Sequence, residues 1–243
     1  MTLLHFRPKQ GSVVWVEPHR VRTAGQERPA EGLPSEDLLA QALTALPAGP
    51  TVWIMDDQWA PAVLLRDIVE VPVPGEGRDA FFRWRYSQSL ALEGTHSVQA
   101  LSLTGDAWLL AGMPQELRDA WLQLALRLGR PIASLVPRWL WLYNRLAPTR
   151  EVPGMLLSLC PHPDGGFTGT LAAWGRSLAL LRQWNDPVDA EGWMRERVLP
   201  TSAYLQRDSR SPQELWIWGT SSWPEDTIHQ HMIQPEIPAL EAV

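Results

Sequence analysis

Cysteine is nearly absent from this sequence, since Cys160 is the only one among 243 residues. A lone thiol cannot form a disulfide within the chain, and it cannot build a site that needs several cysteine ligands. Lysine is equally scarce, because Lys9 is the only one, and the formal net charge is −6. Since binding of a phosphate backbone needs clustered cations, we expect no nucleic-acid partner.

Long apolar runs are also missing. No stretch reaches the roughly 18 consecutive apolar residues that a membrane-spanning helix requires. The start of the chain, Met1–Arg7, lacks the extended apolar core of a signal peptide. We therefore expect a cytoplasmic protein without a direct membrane span.

Metal ligands are too sparse for a zinc site. Cys160 and His162 lie close together, but no second cysteine accompanies them, and His229 and His231 lie far along the chain. A structural zinc site needs a full set of cysteine and histidine ligands. We expect no metal site here, and we interpret these side chains as structural or surface residues.

Tryptophan, in contrast, is abundant, with 14 residues scattered from Trp15 to Trp223. An indole ring buries a large area and needs only one hydrogen-bond partner, so most of these residues are expected in the core and at its rim. Because tryptophan is also enriched in binding hot spots, some of them are alternatively candidates for a peptide-binding groove.

The first part of the chain alternates strand and helix signals. Ser12–Glu17 contains a continuous apolar run that is typical of a strand buried on both faces. Ser35 is a candidate N-cap for an amphipathic helix, and Val52–Met55 is a second short apolar strand. A strand, a helix and a strand in this order predict an α/β domain.

Two adjacent carboxylates, Asp56 and Asp57, follow that second strand. Paired carboxylates at a strand end can hold Mg²⁺ or act as a general base. They can equally cap the turn that runs to Pro61. Because no histidine or third carboxylate lies nearby in the sequence, we favour the turn.

The stretch from Leu64 to Leu146 carries the most specific pattern. It contains a strand Val63–Val71, a helix Arg78–Leu90, a hairpin over Ser97–Gly112 and a helix start at 113–117 that reads Met-Pro-Gln-Glu-Leu. This order resembles the family of the pilus protein PilM and the cytoplasmic domain of the secretion protein GspL. The resemblance implies an actin-like (ribonuclease H-like) α/β fold of two halves. The implied divisions are a first half at 1–152 with a small inserted α/β subdomain at about 64–112, a reduced second half at 153–222, and a tail at 223–243.

The second half reads as a meander followed by a helix and a strand. Its predicted strands are Met155–Cys160, Phe167–Trp174, Arg176–Trp184 and Leu215–Gly219, and its predicted helix is Asp189–Val198. The prolines and acids after Ser222 predict a tail with at most one short helix. The first and second halves are expected to separate near Pro148–Pro153.

Actin-like ATPases hold phosphates on glycine-rich turns, beside an aspartate that organises Mg²⁺. In this chain each such turn is degraded. The turns at His5–Ser12 and Ser158–Thr170 lack the expected aspartate and contain prolines, and the turn at Leu215–Ser222 has one glycine in place of two. The remaining candidate positions are Gly11, Ser12, Gly165, Gly166, Thr168 and Gly219. We therefore expect no cofactor and no ATP hydrolysis. The alternative is a small ATPase or sugar-kinase-like phosphotransferase that uses Asp56, Asp57 or Asp164 as its carboxylate.

The resemblance implies a non-catalytic scaffold of a type IV pilus or type II secretion assembly platform. Its expected partner is the cytoplasmic tail of an inner-membrane protein, and the assembly motor ATPase is a second candidate partner. The chain would then be peripheral to the inner membrane, attached through a protein partner. Arg83 and Arg85 on the predicted helix are our candidate partner contacts, since guanidinium groups suit carboxyl-rich segments. They can equally be solvated surface residues.

Overall fold

The first five-stranded sheet begins the described part of the fold. A computed structural model describes residues 12–68, 70–103, 106–146, 152–207, 211–220, 223–224 and 229–233. The strands of this sheet are β1 Ser12–Glu17, β2 Arg20–Thr23, β3 Gln26–Pro29, β4 Thr51–Met55 and β8 Ile132–Pro137, in the order β3-β2-β1-β4-β8. β1, β2 and β3 form an antiparallel meander, whereas β1, β4 and β8 run parallel.

Helices α1 Glu36–Thr44, α3 Gln115–Arg127 and α4 Arg138–Leu146 accompany this sheet. The predicted cap is present, because the Ser35 side chain accepts a hydrogen bond from the Leu38 N–H at 3.3 Å. Helices α1 and α3 pack on one face of the sheet, where Trp53 and Trp121 lie in a shared apolar cluster. This face is therefore closed by helices, while the other face belongs to a different apolar cluster.

A second five-stranded sheet has the same topology as the first. Its strands are β9 Gly154–Pro161, β10 Phe167–Trp174, β11 Leu178–Val188, β12 Glu214–Trp218 and β13 His229–Ile233, in the order β11-β10-β9-β12-β13. β9, β10 and β11 form an antiparallel meander, and β9, β12 and β13 run parallel. Each large sheet thus consists of a meander and two added parallel strands.

The tail predicted after Ser222 needs a correction. The structure places β13 there, paired in parallel with β12. Polar and apolar residues mix in this segment because it forms the sheet edge, so its sequence lacks the apolar run of a central strand. Residues 234–243 lie outside the described residues.

The helix predicted to end at Val198 is also longer than expected. It runs as α5 Ala190–Trp193, a π-helical turn at Met194–Val198 and α6 Leu199–Arg207. Pro200 lies in the first turn of α6, and proline has no N–H for the helical ladder. The π-helical turn directly precedes this helix, so the change of hydrogen-bond pattern lies beside the proline.

The third sheet is small and separate from the other two. It contains β5 Ala62–Leu65, β6 His96–Ser102 and β7 Trp108–Pro114 in the order β5-β7-β6, and α2 Glu76–Leu90 packs on it. The predicted strand Val63–Val71 is shorter than expected, because pairing ends at Leu65 and Asp67 adopts a φ of 56°. Tyr86 of α2 ties the unit together, since its hydroxyl donates to the Pro61 or Gly112 carbonyl, each at 2.8 Å.

Tryptophans join the two large sheets. The ring of Trp15 on β1 stacks on the ring of Trp218 on β12, with centroids 5.3 Å apart, and meets Trp141 of α4 edge-on at 4.8 Å. All three are buried in one cluster. The core interpretation therefore holds for them, whereas Trp84 on α2 is 51% exposed.

No helix among the described residues is both long enough and apolar enough to span a membrane.

Candidate functional site

Of the first pair of candidate phosphate positions, Gly11 and Ser12, the structure describes Ser12. Ser12 lies at the amino end of β1, where its N–H donates to the Pro50 carbonyl at 3.2 Å. The hairpin that joins β1 to β2 turns instead at Pro18 and His19, and neither residue is a glycine. Gly11 lies outside the described residues.

The second candidate turn, at 162–166, uses its own N–H groups. His162 donates to the Gly166 carbonyl at 3.0 Å, and Gly165 donates to the His162 carbonyl at 3.0 Å. The Asp164 N–H points to the Nδ1 atom of His162 at 3.3 Å. A phosphate cradle needs such N–H groups free, so this turn is not arranged as one. Thr168 lies beyond it on β10 with a buried side chain.

At the third candidate position, Gly219, the backbone packs so closely against β9 that there is no room for a side chain. Gly219 follows β12 with a φ of +104°, and a Cβ atom there would lie 2.2 Å from the carbonyl oxygen of Leu159. The end of β12 therefore lies directly against the end of β9. This glycine permits the contact between two strands, and that alone explains its presence.

The turns that follow β1, β9 and β12 meet at a cavity of about 260 Å³. Glu17, His19 and Arg20 supply its polar wall. The opposite wall is mostly apolar and includes Leu159, Pro161, Trp218, Met232 and Ile233. The guanidinium in the polar wall of the cavity, that of Arg20, is paired with Glu17 at 2.7 Å, so the donor that a phosphate would need is engaged by a carboxylate.

A buried guanidinium, that of Arg138, lies beside this cavity at the start of α4. Its Nη1 atom forms ion pairs with Glu17 Oε1 at 3.1 Å and Asp56 Oδ2 at 2.8 Å. Its Nε donates to the Ser158 hydroxyl at 2.9 Å, and its Nη2 donates to the Leu159 carbonyl at 3.0 Å. Arg138 thus contacts the carboxyl ends of parallel strands in the first sheet and β9 of the second sheet.

Asp57 is the second carboxylate of the pair predicted at the end of β4. Its pKa is raised to about 6, because burial and the neighbouring Asp56 raise it more than Arg138, the Trp139 N–H and the Ser158 hydroxyl lower it. Its Oδ1 accepts the Trp139 N–H at 2.9 Å. Asp57 is therefore a buried acid that caps the first turn of α4.

The pKa values of the ionisable groups around Asp56 and Asp57 shift in both directions. Burial works to raise the pKa of Glu17, but Arg138, Arg22 and Arg20 outweigh it and hold the pKa low. The carboxylates raise the pKa of Arg138 although burial acts to lower it. Burial also raises the pKa of the Cys160 thiol, which disfavours the reactive thiolate form.

The turn interpretation of Asp56 is supported, because its Oδ1 accepts the Gln58 N–H at 3.1 Å. Within the described ranges no group of three or more histidine, cysteine or acidic side chains could hold a metal ion. Asp164, the third carboxylate considered for catalysis, has an 89% exposed side chain. It therefore does not belong to the buried cluster.

A groove of about 80 Å³ lies between the small sheet (β6 and β7) and the ends of β4 and β8, with α3 and α4 beside it. Ser97 and Gln99 of β6 supply one wall, and Arg118 of α3 supplies a cation. The rest is largely apolar and includes Met55, Ala60, Ala111, Met113, Leu135 and Leu140. The volume of the groove is well below the roughly 300–1,000 Å³ of small-molecule pockets, so it suits a single side chain of a bound segment rather than a whole ligand.

Arg83 and Arg85, the predicted partner contacts, do not line this groove. Helix α2 covers the face of the small sheet that carries Val98 and Trp108. The groove lies on the opposite face, which carries Ser97 and Gln99. Arg83 is exposed, and the Arg85 guanidinium lies 5.1 Å from the centroid of the Trp84 ring.

Sequence reasoning missed Arg138, Glu17 and Arg118. The signal for Arg138 is an arginine between apolar residues directly after a strand, in the run Val136-Pro-Arg-Trp-Leu. Charged residues are almost never fully buried unless they are paired, so such a position indicates a buried ion pair. Arg118 gives no comparable signal, since it lies on an ordinary amphipathic helix.

No family model matches the sequence, and no curated protein matches it. Among solved structures, the chain is similar to the cytoplasmic domain of EpsL, an inner-membrane component of the type II secretion system of Vibrio cholerae. The TM-score is 0.50 and the identity 14%, over 92% of this chain and 85% of that chain. It is also similar to a chain of the PilM–PilN type IV pilus biogenesis complex, with a TM-score of 0.56 and 12% identity, over 89% of this chain and 83% of that chain. The PilM- and GspL-like α/β fold predicted from the sequence is confirmed.

Proposed function

We propose that this chain is a non-catalytic scaffold of a type IV pilus or type II secretion assembly platform. It binds the cytoplasmic segment of an inner-membrane partner at the groove beside β6. The observation that carries the proposal is the free edge of β6 directly above that groove. The similarity to a PilM–PilN complex supports a membrane-protein partner of the PilN kind. The assembly motor ATPase is a second proposed partner.

The edge of β6 suits an added strand. Its inner edge pairs with β7, and no described strand pairs with its outer edge. Its residues from Gln99 to Ser102 are exposed. An extended peptide gains main-chain hydrogen bonds from such an edge, and its alternate side chains enter neighbouring pockets. Here the pocket is the groove, so the peptide would present one set of side chains to it.

The chemistry of the groove favours an apolar segment that carries a carboxylate. Its walls offer Met113 and Leu140 to an apolar side chain, and Arg118 offers a guanidinium. The Arg118 side chain is 40% exposed and pairs with the adjacent Asp119 at 3.0 Å, which leaves part of its donor set accessible. Guanidinium groups bind carboxylates through geometrically specific hydrogen bonds.

The same proposal places the chain at the cytoplasmic face of the inner membrane, held there by its partner. In that position a scaffold needs a stable binding surface and does not need to hydrolyse a nucleotide. The closed turn at 162–166 and the packing of Gly219 support the absence of a nucleotide function.

We expect that ATP with Mg²⁺ will not raise the melting temperature of the wild-type chain. A ligand that binds only the native state stabilises it by about 2.7 kcal/mol at a hundredfold excess over Kd, which a thermal shift assay detects readily. Mg²⁺-dependent phosphate release that disappears in Asp164→Ala would contradict the proposal and favour the phosphotransferase alternative.

The Arg118→Glu variant is expected to weaken peptide binding about tenfold or more, which corresponds to about 1.4 kcal/mol. It replaces the groove cation by a charge that repels the partner carboxylate. The probes are fluorescein-labelled peptides copied from the cytoplasmic segments of inner-membrane assembly proteins of the same genome. Fluorescence anisotropy gives Kd, and the melting temperature should remain nearly unchanged because the side chain is half-exposed.

The matched control is the double variant Arg83→Glu with Arg85→Glu, which reverses charge on the outer side of α2. Binding at the groove predicts that this control keeps the wild-type Kd. If the double variant weakens binding and Arg118→Glu does not, the partner lies on α2 as the sequence first indicated. Failure of every such peptide to bind the wild-type chain would refute the scaffold proposal in this form.

A further inference from the structure

The buried charges between the two large sheets form a group with one cation at its centre. Glu17 is the last residue of β1, Asp56 and Asp57 follow β4, and Arg138 follows β8. All four have at most 2% of their surface exposed. Because β1, β4 and β8 are parallel, their carboxyl ends lie at one sheet edge. There Glu17 and Asp56 contact the Arg138 guanidinium, and the adjacent Asp57 accepts the Trp139 N–H.

Three carboxylates this deeply buried need compensation. Transfer of an ionised carboxylate out of water is costly, and it persists only when paired with a cation and hydrogen-bonded. Among the three acids, the described ion pairs of Arg22 and Arg20 are with Glu17, at 3.2 Å and 2.7 Å. Asp56 has one described ion-pair partner, Arg138, at 2.8 Å. Arg138 is therefore the described counter-ion of Asp56, whereas Asp57 is held by the Trp139 N–H.

Arg138 also connects the two sheets. Two of its contacts are carboxylates at the ends of first-sheet strands, and two are the Ser158 hydroxyl and the Leu159 carbonyl of β9. Both kinds of contact converge on a single rigid group, since the guanidinium is planar and always charged. A cation bound from solution would have to occupy this same point to bridge the same atoms.

We infer that Arg138 is a built-in counter-ion, which occupies the position of an external cation and holds the two sheets together without any ligand. This inference goes beyond the scaffold proposal, because it concerns the space between the sheets and is independent of the groove. It predicts that the wild-type chain has no room for a divalent cation at this point. It also predicts that removal of the guanidinium opens such a site.

The test compares wild type, Arg138→Ala and a matched control, Arg130→Ala. Arg130 is a comparable intramolecular clamp, but it donates only to carbonyls, including Leu46 at 2.6 Å. We expect both variants to melt below wild type. Millimolar Mg²⁺ or Ca²⁺ is expected to raise the melting temperature of Arg138→Ala by several degrees, because oxygen ligands are freed. The same ions should leave wild type and Arg130→Ala unchanged.

A triple variant separates charge from space filling. Arg138→Ala combined with Glu17→Gln and Asp56→Asn removes the cation together with two of its carboxylates. If Arg138 acts as a counter-ion, this variant should have a higher melting temperature than Arg138→Ala, and divalent ions should no longer raise it. If Arg138→Ala is unfolded alone, the triple variant and refolding in Ca²⁺ supply the same readouts.

A divalent-ion response of the wild-type chain would overturn the inference, because it would show that the cation position is accessible. The inference would also be overturned if neither ion raises the melting temperature of Arg138→Ala and the added Glu17→Gln and Asp56→Asn substitutions do not raise it either. Neither outcome touches peptide binding at the groove, so the inference and the scaffold proposal fail separately.

Discussion

Gly219→Ala is expected to destabilise the fold by about 3–5 kcal/mol. A Cβ atom at this position would lie 2.2 Å from the Leu159 carbonyl oxygen, and the φ of +104° is unfavourable for any residue with a side chain. The obstacle is backbone in the centre of the second sheet, so it cannot rotate away. Relief requires the ends of β12 and β9 to separate. Urea denaturation at neutral pH measures the change.

Gly165→Ala is the matched control for this prediction. Its φ of +95° imposes a similar conformational penalty, but nothing lies within 4 Å of the added Cβ. We expect a loss of only about 1–2 kcal/mol, the cost of a left-handed conformation with a side chain. Equal losses at the two positions would show that β12 does not pack against β9 as closely as described.

Asp57→Asn is expected to stabilise the chain at pH 7 by up to about 3 kcal/mol. The folded-state pKa of about 6 lies above the ordinary value of 3.8. A raised acid pKa means that the folded state binds the proton more tightly. Stability is therefore highest at low pH and falls as pH rises from about 4 through about 6. Asparagine removes this loss and keeps an oxygen for the Trp139 N–H.

The measurement is a series of denaturation curves from pH 4 to pH 7.5. The gain from Asp57→Asn should be full at pH 7 and should vanish near pH 4, where Asp57 is protonated in the folded chain. The neighbouring substitution Asp56→Asn is the control. It removes an ion pair with Arg138, so it should destabilise at pH 7. Destabilisation of the same size by both substitutions would contradict the different roles assigned to the two acids.

Local signals explain which elements the sequence could predict. Ser12–Glu17 and Phe167–Trp174 are found as predicted, because buried strands of this kind carry continuous apolar runs. The start of α1 follows from the Ser35 cap. The edge strand β13 was missed because an edge shows neither alternation nor an apolar run. The division of the chain into two halves near Pro148–Pro153 lies mostly outside the described residues, which resume at residue 152, and it stays a prediction.

The candidate site was harder to predict because its contacts are distant in sequence. Arg138 and Glu17 are 121 positions apart, and Arg138 and Ser158 are 20 apart. No spacing rule connects such residues, so the pair of carboxylates was recognised while its counter-ion was not. The groove depends likewise on the approach of β6 to α3 and α4, which only the assembled fold provides.

The stack of Trp15 on Trp218 gives the chain an optical reporter of its own. The two indoles come from different sheets and lie almost parallel, with 9° between their planes. Stacked indoles exchange excitation energy and produce a circular-dichroism signal that separated indoles lack. Other close indole pairs, such as Trp53–Trp121 and Trp184–Trp193, contribute as well. The part of the signal that disappears in Trp218→Phe therefore reports the contact between the sheets. The relative movement of the two sheets can thus be followed in unlabelled protein.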